Sequence, residues 1–207
     1  MQKEEIIQTN TEISGALYFD PTGIMTFFDL TTGMVKKIAP SIRKKALENY
    51  LKNNEHDTYT YKTKNGLTTY IWDIKGSDYN ETEFHISEKL AKSGQHVLFP
   101  KQGDLGKGRR NDVYLYDDKT YIQQKVELKS LSGHTAESVR SQLISGTGQA
   151  GVIAYDVQSN IKKNWLIDGL RNGWSDETKK VLLNWKGQWY EINSKIIFDK
   201  KIYNWLR

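Results

Sequence analysis

Asp112 and, fifteen positions later, the run Val126-Glu127-Leu128-Lys129 carry the residue types that could do chemistry together. They lie in NDVYLYDDKTYIQQKVELKS, residues 111–130. Apolar and polar residues alternate in VYLY and in TYIQQKVELK, which predicts two strands with Asp117, Asp118 and Lys119 as their turn. Side chains alternate faces along a strand, so Glu127 and Lys129 share one face while Val126 and Leu128 point into a core. Such a hairpin brings Asp112 near Glu127. Two carboxylates and an amine at one sheet edge suit metal-dependent hydrolysis of a phosphodiester. Carboxylates are hard oxygen ligands for Mg²⁺ or Mn²⁺. A metal there polarises a phosphoryl oxygen and acidifies water. The lysine orients that water or offsets charge building on the phosphate. Glu-x-Lys alone is a common solvated pair in strands, so its weight rests on what surrounds it.

The 207 residues suffice for one well-cored domain with a small companion. There are 30 Lys+Arg against 25 Asp+Glu, a net charge of +5, which suits a polyanionic partner without demanding one. Cysteine is absent, which excludes disulfides and thiolate zinc sites. No apolar run approaches the ~20 residues of a membrane span, and MQKEEIIQTNTEISG lacks the apolar core of a secretory signal. A soluble protein working in a bacterial cytoplasm is expected.

ALYFD, IMTFFDL and MVKKI read as strands, and SIRKKALENYLKNN as a helix behind Pro40. TYTYKT and LTTYIWDIK form a hairpin around Lys64-Asn65-Gly66. The polar GSDYNE, residues 76–81, marks a boundary between a small α+β module over 1–75 and a second domain over 76–207. Beyond it, ETEFHISEKLAKSG predicts an amphipathic helix stopped by Gly94. HVLFP is a strand, and KQGDLGKGRRN a basic loop whose Lys107, Arg109 and Arg110 could clamp phosphates beside Asp112. After the hairpin come a helix capped by Thr135 and the continuous apolar run GVIAYDV, which reads as a buried parallel strand. A further helix, the hairpin VLLNW/QWYEIN and a short terminal helix complete an α/β pattern.

The helix after residue 80 holds three candidate acids, Glu81, Glu83 and Glu88. At 100° per residue its apolar face is set by Phe84, Ile86, Leu90 and Ala91. Glu83 falls near the middle of that face, Glu88 toward its edge and Glu81 outside it. An inward carboxylate is costly unless it meets a charge or a metal, so Glu83 is the first candidate and Glu88 the second. Ser130, His134, Arg140 and Gln142 follow the Glu-x-Lys run as candidate substrate contacts. A lone loop histidine such as His134 is more often simply exposed than a general base.

The order helix, three strands, helix, strand over residues 81–157 resembles the PD-(D/E)xK nuclease superfamily. That family carries an acid in the first helix, an Asp in the second strand and Glu-x-Lys in the third. Asn111-Asp112 stands where the family has Pro-Asp, so the first letter of the motif is not kept. Within the superfamily the pattern is most similar to the nuclease toxin domains of contact-dependent growth-inhibition systems. Those pair an EKLAKSG-like helix and Glu-x-Lys with a helix ending in Gln-Ala before an apolar strand, here GQAGVI at 148–153. The resemblance implies a restriction-endonuclease-like mixed sheet flanked by helices, with the 1–75 module ahead of it. It implies Glu83 as the helix acid and adds Gln149 to a catalytic set of Glu83, Asp112, Glu127 and Lys129. Mg²⁺ or Mn²⁺ would be held by Asp112, Glu127 and the main-chain carbonyl of Leu128, with Glu83 on a second ion or ordering the site through water. DNA or RNA is the expected substrate, tRNA among them. A toxin would be blocked by an acidic immunity protein; because the chain starts at Met1, a free-standing nuclease of a phage, mobile element or restriction system is the alternative. A non-catalytic binding protein that retains the fold is the rival class. Oligomeric state stays open, a homodimer included.

Overall fold

The computed structural model describes the strand segments 15–19, 25–29 and 34–37, and residues 38–101 and 112–207. Strands β1 (Gly15–Phe19), β2 (Met25–Asp29) and β3 (Met34–Lys37) form an antiparallel meander. Helix α1 (Pro40–Asn53) opens on a proline, whose fixed φ suits a first helical turn. The hairpin of β4 (His56–Lys62) and β5 (Thr68–Ile74) turns through Gly66 at φ 81°. Helix α2 (Glu81–Ser93) follows, closed by Gly94 in the left-handed region at φ 113°. Next come β6 (Gln95–Phe99), β7 (Val113–Asp117), β8 (Gln124–Leu131), α3 (Ala136–Thr147), β9 (Val152–Val157) and α4 (Lys163–Gly173). The chain ends with the hairpin β10 (Lys180–Trp185) and β11 (Gln188–Ile192) and two short helices, α5 (Ser194–Ile197) and α6 (Ile202–Trp205). No described helix is long and apolar enough to cross a membrane.

Eight strands make one mixed sheet in the order β11-β10-β9-β8-β7-β6-β5-β4. The β5/β6, β8/β9 and β9/β10 pairs are parallel and the other four antiparallel. This is the α/β mixed sheet with flanking helices that the element order predicts. The boundary at residue 76 falls inside it. Residues 56–74, assigned by composition to the N-terminal module, are its β4 and β5, with β5 hydrogen-bonded to β6. A polar linker marks a domain edge only when the strands on its two sides stay apart, and these two pair.

Alternation along the strands sorts the helices. Ile71, Val113, Leu115, Val126, Leu128 and Ala154 turn to one face and pack with Ile86, Leu90 and Ala91 of α2. On the other face Trp72, Ile74, Leu98 and Tyr116 pack with Leu47 of α1. Leu131, Ile153, Tyr155, Val181 and Leu183 pack with Val139 and Leu143 of α3 and with Leu166 and Leu170 of α4. One local expectation is corrected: β8 begins at Gln124, not Thr120. The Asp117 carboxylate accepts the backbone N–H of Lys119 and Thr120 and the Thr120 hydroxyl, and Tyr121 takes φ 51°, so the turn runs on past it.

Helices α3 and α4 cross so closely that a β-carbon on Gly169 would lie 2.4 Å from the Ala136 carbonyl oxygen and 2.5 Å from the Val139 β-carbon. Gly169→Ala is therefore expected to destabilise the protein by about 1–3 kcal/mol through overpacking, read from the urea midpoint. An unchanged midpoint would show that the two helices separate freely.

Candidate active site

The β7/β8 ladder runs through Leu115↔Gln124, Tyr114↔Lys125 and Val113↔Val126 and then stops. Among the described residues, strand β8 continues to Leu131 against β9 alone. At the break Asp112 replaces a partner strand. Its N–H donates to the Val126 carbonyl at 3.1 Å, and its Oδ2 accepts from the Leu128 N–H at 2.7 Å. The carboxylate is thus held at the open edge of β8 by the backbone of the Glu-x-Lys run itself.

Glu127 turns to the α3 face. Gly146 gives it room: a β-carbon there would sit 3.6 Å from Glu127 Cγ and 3.1 Å from Ile153. Glu127 is 1% exposed. Its Oε1 accepts from Lys129 Nζ, while its Oε2 is buried with no hydrogen-bond partner among the described residues. Burial pushes the Asp112 carboxyl up to about 6. The Glu83 charge adds to the rise, against the Leu128 N–H and the Lys129 ammonium. Burial likewise pushes Glu127 up to about 7, helped by Asp112 and Glu83 and opposed by Lys129. Among the described residues one ammonium faces three carboxylates, and that surplus of negative charge is what a cation would neutralise.

Glu83 sits in the first turn of α2. The cleft between that turn and β8 has a volume of about 420 Å³, lined by Asn80, Glu81, Thr82, Glu83, Ile86, Leu128, Lys129 and Ser130. The Glu83 carboxylate faces this site electrostatically but is bonded elsewhere. Its Oε2 accepts the Asn80 N–H at 2.9 Å, and Asn80 Oδ1 accepts the Glu83 N–H at 3.0 Å. This reciprocal cap satisfies two helix-end donors. Among the described residues no three carboxylate or imidazole groups converge tightly enough to hold one ion. The second candidate, Glu88, accepts from the Tyr61 hydroxyl at 3.1 Å and pairs with His85 on the side of α2 that faces β4.

No family model matches the chain. No curated protein matches it. Among solved structures it is similar to the CdiA-CT/CdiI toxin and immunity complex from Burkholderia pseudomallei, at 14% identity and a TM-score of 0.42, over 57% of this chain and 96% of that one.

The remaining candidates are scattered. Ser130 lines the cleft. Gln149 is half-buried where α3 ends, its N–H bonded to the Gly146 carbonyl. His134 is exposed, Arg140 pairs with Glu137 at 2.8 Å on the outer side of α3, and the Gln142 amide oxygen is buried without a partner. Lys107, Arg109 and Arg110 lie outside the described residues. Two groups went unnoticed in the sequence. Asn80 is a cap with its Glu partner three residues on, a pattern legible in N-E-T-E. Asp156, a lone acid in the apolar run GVIAYDV, is buried beside Lys89, Asn184 and Gln158.

Carboxyls raised above their unfolded values bind more protons in the folded state, so they favour folding at low pH and lose that contribution as pH rises through the folded values. Stability without metal should therefore fall as pH rises from about 4 to about 7. Glu127→Gln should flatten that decline and raise the urea midpoint at about pH 8. A lower midpoint for Glu127→Gln at that pH would show instead that the ionised carboxylate stabilises the fold.

Proposed function

We propose that this chain is a metal-dependent nuclease that hydrolyses phosphodiester bonds in DNA or RNA. The observation that carries the reading is the buried Oε2 of Glu127, orphaned among the described residues, near Asp112 and on the strand whose Leu128, Lys129 and Ser130 line a cleft. Asp112 and Glu127 fit a hard divalent cation: both are oxygen donors, and the charge around them is negative in excess. They would hold Mg²⁺ or Mn²⁺ together with the main-chain carbonyl of Leu128. When bound, that ion supplies Lewis-acid polarisation of the phosphoryl oxygen and a more acidic water.

The chain's own residues do the rest. Lys129 Nζ stands at the cleft wall, where it orients the attacking water or offsets charge on the phosphate. Glu83 acts on the site through its charge, or through water, while capping α2. Ser130, Thr82 and Asn80 offer hydroxyl and amide groups to the sugar-phosphate strand, and the sequence resemblance adds Gln149 at the end of α3. The sequence resemblance extends the proposal to a toxin domain that acts in a bacterial cytoplasm, on tRNA among other substrates. With a net charge of +5, an acidic immunity protein is its fitting inhibitor.

A second reading, a non-catalytic binding protein, draws support from the capping role of Glu83 and from the lack, among the described residues, of a third converging carboxylate or imidazole. Cleavage of total tRNA, single-stranded DNA and duplex DNA with Mg²⁺, with Mn²⁺ and with EDTA separates the two. Metal-dependent cutting is expected, reduced on the order of a hundredfold or more in Asp112→Asn, Glu127→Ala and Lys129→Ala. Equal cutting by all three variants would overturn the site assignment. No cutting at all, together with no heat of Mn²⁺ binding, would favour the binding protein.

A further inference from the structure

A second buried carboxylate lies on the opposite face of the same sheet. Asp156, on β9, is 1% exposed. Its Oδ2 accepts from Lys89 Nζ of α2 at 2.6 Å and from the Gln158 amide, and its Oδ1 accepts from Asn184 Nδ2 of β10 at 2.7 Å. Asp156 is the register neighbour of Ser130, which lines the cleft. Lys89 is one turn past Ile86, which lines the cleft as well. The charge pair therefore stands at the far end of the wall that begins with Asn80 and Glu83.

Helix α2 is anchored on two sides. Toward β4 and β5, the Tyr61 hydroxyl donates to Glu88 and the Thr69 hydroxyl donates to the Ala91 carbonyl at 2.8 Å. Toward the cleft, Lys89 reaches across β8 to Asp156. Glu83 lies six residues before Lys89, about 9 Å along the helix axis. A helix tied only on its β4 side can roll away from β8, and the roll would carry Glu83 with it.

We propose that Asp156 is a positioning residue: through Lys89 it holds α2 against the sheet at the height that aims Glu83 at Asp112 and Glu127. The pair suits that task. Asp156 is buried while Lys89 keeps a partly exposed stem, so the pair adds little net stability but fixes one arrangement: sliding the helix would leave the carboxylate short of its cation in a dry place. Asn184 and Gln158 keep the Asp156 carboxylate from following the lysine. This role rests on the nuclease reading for its effect on cleavage, whereas its effect on α2 does not.

The test compares the wild type, Asp156→Asn and Lys89→Arg by amide hydrogen exchange and by cleavage in Mn²⁺. Asp156→Asn should speed exchange selectively in the first half of α2, leave β9–β11 protected, and cut the cleavage rate on the order of 10- to 100-fold, as expected for a reacting group displaced by up to an ångström. Lys89→Arg keeps the tether and should behave as the wild type in both. Faster exchange throughout the sheet would reveal a merely structural role and overturn the proposal, as would unchanged exchange in α2. Local loosening of α2 with undiminished cleavage would overturn the link to Glu83. A wild type that cuts nothing would sink the nuclease reading instead, and the exchange pattern alone would then decide whether Asp156 holds the helix.

Discussion

Where the β7/β8 ladder ends, an N–H that a neighbouring strand would have bonded goes to the side chain of Asp112. The substitution does two things at once. It satisfies the Leu128 backbone donor, which at a half-buried edge would otherwise cost about 1–3 kcal/mol. It also ends the described β7/β8 pairing at Val126, while β9 pairs with Glu127, Lys129 and Ser130 on the other side. Without the break there is no cleft. Without β9 the two charged side chains of the Glu-x-Lys run would sit on a mobile edge. The open edge at a central strand is therefore the constraint around which α2, α3 and the carboxylates are arranged.

Both faces of β8 are covered, and this sets the electrostatics. Glu127 lies under α3, close enough that Gly146 has no side chain to interpose, and Leu128 lies under α2. A carboxylate at such depth is normally completed by donors. Here one ammonium serves one oxygen, and the neighbouring carboxylates raise the cost of ionisation further. Such an arrangement lowers stability, and on the nuclease reading that is the trade expected of functional sites.

How much of this was legible in the sequence differs from residue to residue, for physical reasons. The alternation around Val126-Leu128 and Glu127-Lys129 is a local property of a strand, and it sorted those four side chains onto their two faces. The sheet order beyond it is not local. Residues 56–74 look like a self-contained hairpin because nothing in a hairpin's sequence says whether its second strand has another neighbour, here β6. Glu83 was legible as an inward acid by helical angle. That angle does not reveal a carboxylate folded back onto the helix's own first turn, where Asn80 meets it at three residues' distance. Asp156 was passed over because a single acid in GVIAYDV does not spoil a buried strand when a lysine sixty-seven residues earlier meets it.

The two buried carboxylates make the sharpest internal comparison. Asp156 and Glu127 sit on adjacent strands, are equally buried at 1% exposed, and each meets a lysine. They differ in completion. Both oxygens of Asp156 are taken, one by Asn184 and the other by Lys89 and Gln158. One oxygen of Glu127 is taken and the other is left bare. Donors of ordinary chemistry were close at hand in this fold, since Asp156 recruited three of them. A fully served carboxylate has nothing left to offer a ligand, and its energy goes into fixing the elements that serve it. A half-served one keeps a lone pair directed at whatever cation can reach it. Under the two proposals above, the same residue chemistry at equal depth thus divides between holding α2 in place and holding open a coordination position.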